Sequence, residues 1–387
     1  MAKIAFFCIP ARGHTNPTLP VVRRLVEMGH EVIYYSFAPY REDIEAAGAK
    51  YVDSGSLDAA PATGGASVTS DIGAAAALIA QTTLSMEAPV LKALTADRPD
   101  VIVADSAAAW GRLFALKLGI PLVCSNTTFV FNRHAAKVMK SSFGDLLRLL
   151  PALFRAARAL RPLRDRGYPI KGGMDLMQGD PSTTTVVYTS RQFQPCAGTF
   201  SDNFHFVGPC LRPCGEPVAK SGRPLIYVSM GTVMTAELDF LRRCAIALGG
   251  GRYDVIISAG SEANATALGS LPGHVRVYPR VDQLSVLQSA DAFITHCGMN
   301  SASEALYYGV PLLMRPLTPE EAGVANRAAE LGAGLLLTGE SPEAIRAAVE
   351  TVLANPAFRE AAARIGAGFR DCGGAEAAAQ TIISVIS

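Results

Sequence analysis

The chain has 387 residues, of which 49% are apolar and 18% are charged. Its 35 Lys and Arg residues nearly balance its 34 Asp and Glu residues, so the formal net charge is +1. This composition excludes the basic excess of a dedicated nucleic-acid-binding protein and the high net charge of a disordered chain. The length predicts two or three domains. Eight cysteines without a Cys-x-x-Cys pair predict reduced thiols in a cytoplasmic protein and no structural zinc site.

Strands and helices alternate through the first half of the sequence. Apolar runs and helical periodicity predict, in order, strand 3–9, helix 17–28, strand 31–36, helix 40–47, strand 50–52, strand 101–104, helix 107–118 and strand 122–124. Asn16 is expected to cap the first helix, with Pro17 in its first position. Residues 54–72 are rich in Gly, Ser and Ala and are predicted to form a mobile loop. No run of 18 apolar residues is present, so no membrane-spanning helix is expected.

The segment 143–166 differs from its surroundings because it mixes Leu, Phe and Ala with arginines. The pattern favours a surface helix pair broken near Pro151 and Pro162. A lid over an acceptor site and a helix lying on an anionic membrane are the alternatives. Any membrane contact is therefore expected to be peripheral at most.

The strand–helix pattern restarts after residues 208–222, which contain three prolines and three glycines and are predicted to be a linker. It continues with strand 225–229, helix 237–248, strands 254–258, 274–278 and 292–295, helix 301–308, strand 311–314, helix 319–331 and Ala-rich helices to the end. The sequence therefore predicts an α/β protein with two doubly wound, Rossmann-like domains, 1–207 and 223–387, facing an interdomain cleft. The last helix is expected to pack back on the first domain.

A possible phosphate site lies at Thr295–Glu304, T-H-C-G-M-N-S-A-S-E, where a buried strand runs through a glycine into a helix. The N–H groups and dipole of a helix N-terminus attract phosphate, and Gly298 permits close backbone approach. His296, Asn300 and Ser301 add donors within reach of a diphosphate. The same sequence also fits a capping box, Ser301-x-x-Glu304, which needs no ligand.

A possible catalytic pair combines His14, in P-A-R-G-H-T-N-P, with Asp105. Each follows a predicted strand and precedes a predicted helix, so parallel neighbouring strands would place both side chains at one rim of the sheet. A neutral histidine backed by a carboxylate is a good general base, because the carboxylate fixes the tautomer and stabilises the imidazolium. The alternatives are a loop histidine satisfied by backbone groups and an aspartate that caps a helix.

Two further strand ends carry polar residues. In Arg315–Glu321, R-P-L-T-P-E-E, two carboxylates can accept hydrogen bonds from sugar hydroxyls, or Thr318, Pro319 and the acids can simply start a helix. Ser229–Thr232, S-M-G-T, ends a strand in a turn that can touch a phosphate.

Together these stretches resemble the UDP-glycosyltransferase superfamily (glycosyltransferase family 1), and within it the bacterial macrolide-type and flavonoid-type enzymes of the two-domain GT-B fold. The resemblance covers essentially the whole chain. Asp291–Arg327 resembles the donor-binding signature of that family, and I-P-A-R-G-H-T-N-P-T-L-P resembles its N-terminal motif.

The resemblance implies a role for each motif. His14 matches the catalytic base and Asp105 its partner. The diphosphate ligands match His296, Asn300 and Ser301, with Thr232 across from them. The remaining donor-binding positions are Glu304 for the ribose, Gln283 beside the nucleobase, and Glu320 and Glu321 for the sugar hydroxyls.

Three positions depart from the family pattern. The family often has Gln at Glu321, Trp at Arg280 and Pro at Asp282. A carboxylate only accepts hydrogen bonds, whereas an amide also donates them. Arg280 can still stack on a base. The resemblance implies a UDP-sugar as the donor, with a dTDP-sugar as the alternative.

The predicted function is inverting transfer of a sugar from this donor to a hydroxyl of a small apolar acceptor, such as a natural product, phenol or macrolide. Neither a metal ion nor another cofactor is expected, and the protein is expected to be a monomer or homodimer. The alternatives are a sugar-nucleotide epimerase on the same scaffold and a non-catalytic nucleotide-sugar-binding protein. The acceptor pocket is predicted within segments 54–90 and 126–180, with four candidate walls: Phe129, Phe131, Phe143 and Phe154.

Overall fold

The computed structural model describes residues 1–55, 72–132, 134, 152, 154–170, 182–231 and 237–386. The chain forms two compact units, one made of Met1–Arg212 with Cys372–Ser387 and the other of Pro213–Asp371. The division falls within residues 208–222, which contain no helix or strand. The predicted mobile loop, 54–72, lies largely outside the described residues.

The first unit is built on a parallel sheet. Its strands β1 to β7 are Lys3–Phe7, Glu31–Ser36, Lys50–Asp53, Val101–Asp105, Leu122–Asn126, Thr185–Val187 and Phe204–Phe206. Their order across the sheet is β3-β2-β1-β4-β5-β6-β7. Helices α1 to α5 are Arg12–Glu27, Arg41–Ala46, Ile72–Ala96, Ala109–Leu118 and Arg161–Asp165.

Both faces of this sheet are covered, which explains the continuous apolar runs of its strands. Phe7 and Ile102 pack in a core with Trp110, and Phe6 packs on the opposite face with Val21. This alternation follows from the period of two along a strand.

The second unit repeats the design. Strands β8 to β13 are Leu225–Ser229, Asp254–Ser258, Val275–Tyr278, Ala292–Thr295, Leu312–Met314 and Gly334–Leu336. They form a parallel sheet in the order β10-β9-β8-β11-β12-β13. Helices α6 to α12 are Leu238–Leu248, Glu262–Leu268, Gln283–Leu287, Met299–Tyr307, Pro319–Glu330, Pro342–Ala354 and Pro356–Arg370. The prediction of two parallel-sheet α/β domains is confirmed.

The last helix, α13 (Gly374–Ser384), belongs to the first unit. Ala378, Ala379 and Ile382 are buried in the core that contains Val21 and Leu25 of α1. The end of the chain thus closes one face of the first sheet.

The predicted start of the first helix is wrong. Helix α1 begins at Arg12, after an extended Ala11 whose carbonyl accepts hydrogen bonds from His14 N and Thr15 N at 3.0 and 2.9 Å. Pro17 therefore lies inside the helix, as does Pro20. Each proline removes one backbone donor, and the buried inner face compensates. This early start places His14 in the first turn.

Helix α3 was not expected from the sequence. Its residues Gly73–Ala96 are long and apolar enough to cross a membrane by length and composition alone, unlike any other helix in the described parts of the chain. Met86, Val90 and Leu94 nevertheless pack in the core of the first unit. The apolar inner face of α3 is therefore used in packing within the protein.

The arginine-rich segment is described only in part. Within residues 154–166, Ala156, Leu160 and Leu163 are fully buried in the core. Pro162 lies in the first turn of the short helix α5. The apolar face of this part therefore packs within the first unit. Residues 143–151, including the predicted break near Pro151, lie outside the described residues.

Candidate active site

The catalytic pair predicted from the sequence is assembled at one rim of the first sheet. Strands β1 and β4 are parallel neighbours, with Phe7 opposite Ala104. Asp105 ends β4, and His14 stands in the first turn of the helix that follows β1. His14 Nδ1 lies 2.9 Å from Asp105 Oδ2. The carboxylate is 1% exposed and the imidazole 20%, so the pair is buried on the aspartate side and accessible on the histidine side.

Hydrogen bonds to Asp105 define the histidine tautomer. Asp105 Oδ1 accepts a hydrogen bond from the backbone N–H of Ala107 at 2.8 Å, which fixes the plane of the carboxylate. Oδ2 can only accept, so His14 Nδ1 carries the proton and donates it. In that tautomer Nε2 holds the lone pair that a general base requires.

Thr127 is a third member of this cluster. It follows β5, the neighbour of β4, and is 2% exposed. Its Oγ1 lies 3.1 Å from His14 Nδ1. Thr127 was not predicted, although its sequence signal is the same as that of Asp105: a polar residue at the carboxyl end of a neighbouring parallel strand.

Three buried groups lie close enough to Asp105 to be affected by its negative charge. Burial raises the pKa of Cys8, Tyr34 and Tyr188, and the negative charge of Asp105 raises each further. All three groups therefore stay neutral at ordinary pH. These groups therefore add no charge next to the His14–Asp105 pair.

In the second unit, the turn from β11 to α9 has an unusual backbone. Cys297 is fully buried and has φ 69, in the left-handed region that few residues other than glycine adopt. Its N–H donates to Thr295 Oγ1 at 3.1 Å. Helix α9 then begins at Met299 with Gly298 as N-cap. The turn brings the N-terminus of α9 to the carboxyl end of the sheet.

The capping-box interpretation of Ser301 and Glu304 is wrong. Because Gly298 is the N-cap, Ser301 is the third residue of α9 and Glu304 lies in the helix interior. The Glu304 carboxylate instead accepts a hydrogen bond from Gln283 Nε2 at 2.6 Å. Gln283 Nε2 also lies 3.3 Å from Ser301 Oγ. Three residues predicted to bind the donor are thus brought together.

The ring of His296 lies against two glycines, Gly298 and Gly231. A methyl group at Gly298 would lie 2.7 Å from His296 Nε2, and one at Gly231 would lie 2.8 Å from Cε1. Burial lowers the pKa of His296, although the negative charge of Glu321 opposes this shift. The ring therefore favours its neutral form, in which one nitrogen is a donor.

Glu321 belongs to the first turn of helix α10, as the alternative interpretation of R-P-L-T-P-E-E predicts. Thr318 is the N-cap, Pro319 follows, and Thr318 and Glu321 form a capping box. Glu321 Oε2 accepts hydrogen bonds from Leu317 N and Thr318 N at 2.7 and 3.0 Å. Glu320 is exposed beside it. A role of this pair in sugar binding stays a prediction.

Asp282 has a local structural role where the family usually has proline. Its Oδ2 accepts hydrogen bonds from Gly215 N at 2.9 Å and Ser285 Oγ at 2.7 Å. It thereby links the segment 213–222 to the start of α8, next to Gln283. Arg280 is exposed two residues earlier.

The other predicted site residues have different environments. Phe129 is 5% exposed and packs on Phe193, whereas Phe131 and Phe154 are 44% and 76% exposed. Phe143 and Thr232 lie outside the described residues. Within the part of the chain that is described, no group of three or more His, Cys, Asp or Glu side chains is arranged to hold a metal ion.

Comparison with known proteins defines the class. The family model described as "Erythromycin biosynthesis protein CIII-like, C-terminal domain" matches residues 250–376. The NDP-glycosyltransferase YjiC of Bacillus licheniformis is 32% identical, with 98% of this chain and 96% of that protein covered. Demethyllactenocin mycarosyltransferase of Streptomyces fradiae is also 32% identical, over 100% of this chain and 87% of that protein.

Solved structures agree. The crystal structure of the glycotransferase of kitacinnamycin superposes with a TM-score of 0.86 at 28% identity, covering 100% of this chain and 99% of that one. The fold and these relatives therefore define a glycosyltransferase of the GT-B class. The chain belongs to the UDP-glycosyltransferase superfamily, glycosyltransferase family 1, in its bacterial macrolide-type branch. These relatives favour sugar transfer over the epimerase and the non-catalytic binder.

Proposed function

We propose that this protein is an inverting, metal-independent glycosyltransferase of the cytoplasm that transfers a sugar from a UDP- or dTDP-sugar to a hydroxyl of a small apolar acceptor. The observation that carries the proposal is the His14–Asp105 pair, with its 2.9 Å contact and its buried carboxylate. Such a pair is suited to abstracting a proton from an acceptor hydroxyl.

In the proposed reaction, His14 Nε2 removes the proton from the acceptor hydroxyl. The acceptor oxygen attacks the anomeric carbon as the bond to the nucleoside diphosphate breaks, and the proton remains on His14. The Asp105 carboxylate stabilises the imidazolium that forms. A single displacement inverts the anomeric centre, so an α-linked donor gives a β-glycoside.

In the proposed complex, helix α9 binds the diphosphate of the nucleotide-sugar donor. The N-terminus of this helix and the donors of His296, Asn300 and Ser301 stabilise the negative charge that develops on the leaving diphosphate. Gly298 lets the phosphates approach the backbone. Thr232, which lies outside the described residues, is assigned to the diphosphate from the resemblance to the family. The sugar hydroxyls are assigned to Glu320 and Glu321, the ribose to Glu304, and the base to Arg280 and Gln283.

An apolar acceptor agrees with the aromatic side chains near residues 126–170. Phe131 and Phe154 are exposed although they are apolar, which suits a surface that a ligand covers. The named relatives include the demethyllactenocin mycarosyltransferase. Natural products and phenols are therefore the acceptors to test first.

The direct test is product analysis. The purified protein is incubated with UDP-glucose, other UDP-sugars and dTDP-sugars, with and without a panel of phenolic and macrolide acceptors, and products are followed by mass spectrometry and NMR. The proposal expects an acceptor-dependent β-glycoside from an α-linked donor. Conversion of the donor without acceptor, or an α-glycoside product, would contradict it.

Gly298→Ala should weaken donor binding. Its φ of −55 suits alanine, so the backbone is not strained, but the new methyl group would lie 2.7 Å from His296 Nε2 and must displace the ring. Loss of one hydrogen bond to a charged diphosphate predicts a roughly 10- to 100-fold rise in donor KM. Initial rates at varied donor concentration measure it.

Gly323→Ala is the matched control. Gly323 lies in α10 of the same unit, and a methyl group there meets nothing within 4 Å. Its donor KM should match the wild type. An unchanged donor KM in Gly298→Ala would show that His296 does not contact the donor.

A further inference from the structure

A buried tyrosine lies behind the residues that the proposal assigns to the nucleoside. Tyr227, in the middle of β8, is 1% exposed, and its ring stacks on Phe293 of β11 with centroids 4.6 Å apart. Its hydroxyl lies at the edge of this core, where it donates a hydrogen bond to Gln283 Oε1 at 3.1 Å. Nothing in the apolar pattern of β8 indicates this contact.

The Glu304 carboxylate fixes which way the Gln283 amide faces, and the Tyr227 hydroxyl then anchors the amide oxygen. With Oε1 bound to the phenol, Nε2 is directed at Glu304 Oε2, 2.6 Å away, and at Ser301 Oγ, 3.3 Å away. In the flipped amide, Oε1 would face the carboxylate, and two acceptors would be opposed. Tyr227, Gln283 and Glu304 therefore form a hydrogen-bonded relay that runs from the buried phenol through the amide to the carboxylate.

The Tyr227 phenol remains a hydrogen-bond donor to Gln283 at all ordinary pH values. Burial raises the pKa of Tyr227, and the charges of Glu304 and Asp282 raise it further. The phenol therefore stays protonated and continues to donate to Gln283.

We propose that Tyr227 is a positioning residue of the nucleoside subsite, which anchors the Gln283 amide through its oxygen so that Gln283 Nε2 holds the Glu304 carboxylate ready for the ribose hydroxyls of a nucleoside diphosphate. This inference rests on the proposed function, because it takes Glu304 as the ribose ligand. Gln283 then acts chiefly on Glu304 and only secondarily on the base. Tyr227 itself does not touch the ligand.

The test is binding of UDP and of dTDP, measured by calorimetry without acceptor, to the wild type, Tyr227→Phe, Gln283→Met and the double variant. Tyr227→Phe keeps the ring stack and removes only the hydroxyl. We expect it to weaken nucleotide binding roughly three- to ten-fold, as for one lost hydrogen bond, and to leave kcat at saturating donor unchanged. In the Gln283→Met background it should have no further effect, because its partner is gone.

A merely structural role gives a different pattern. Loss of packing would weaken binding equally in both backgrounds, and that result would overturn the inference, as would unchanged affinity in Tyr227→Phe. Tyr253→Phe, at another buried tyrosine of the same unit, should bind like the wild type. Failure of the wild type to bind either nucleotide would overturn the proposed function together with this inference.

Discussion

His14→Ala should lower kcat by about 10²–10⁴-fold, the usual contribution of a general base. The imidazole is the group in this cluster that can take the acceptor proton, and alanine leaves Asp105 with no ring to act through. The affinity for the nucleotide donor should change little, because the residues assigned to the donor belong to the second unit. Steady-state rates with an unactivated alcohol, together with donor titration, measure both quantities.

His30→Ala is the matched control for this variant. His30 is another histidine of the first unit, whose Nδ1 accepts a hydrogen bond from Ala2 N at 3.1 Å, away from Asp105. It should retain wild-type turnover. Wild-type turnover in His14→Ala would show that His14 is not the base.

Asp105→Asn should be nearly as damaging, with a roughly 10²–10³-fold loss of kcat and no change in fold. The backbone N–H of Ala107 faces the Oδ1 position and needs an acceptor, so the amide oxygen will occupy that place. The amide NH₂ then faces His14 Nδ1, which must become the acceptor. The ring proton moves to Nε2, and the base is blocked.

The control for Asp105→Asn is Asp53→Asn. Asp53 ends β3 of the same sheet, and its Oδ1 accepts a hydrogen bond from Gly55 N at 2.9 Å, the same local geometry. Asp53→Asn should retain the wild-type kcat. If Asp105→Asn also keeps full activity, the carboxylate does not set the tautomer.

Much of the fold could be predicted from local sequence. Strands β2, β8, β9 and β11 have the bounds that the apolar runs predict, because parallel strands covered on both faces have an unmistakable pattern. Helix α3 was missed because its alanines give little periodicity and Pro89 lies inside it. Strands β6, β7 and β13 have three residues each, too few to show a pattern.

The start of α1 shows the limit of local rules. Proline in a first helical position is a good general expectation, but here packing of the inner face tolerates Pro17 in the interior. Ser301 and Glu304 show the same limit, since their spacing fits a capping box although a glycine caps the helix.

The site residues that could be predicted are polar residues at the carboxyl ends of predicted strands. His14 and Asp105 could each be proposed from its position at a predicted strand end, but spacing alone did not pair them. The resemblance to the family implied the pair, and the adjacency of β1 and β4 brings the two side chains together. Thr127 has the same kind of position, directly after β5, but was not singled out. Tyr227 was missed because it lies within an apolar strand, where nothing in the local sequence indicates its contact with Gln283.

The most direct test is a crystal structure of the protein with a nucleoside diphosphate and an acceptor bound. We predict that His14 Nε2 will lie within about 2.6–3.2 Å of the acceptor hydroxyl, with Asp105 on Nδ1. An imidazole turned away from that oxygen, with a different group at proton-transfer distance, would contradict the assignment of the catalytic base.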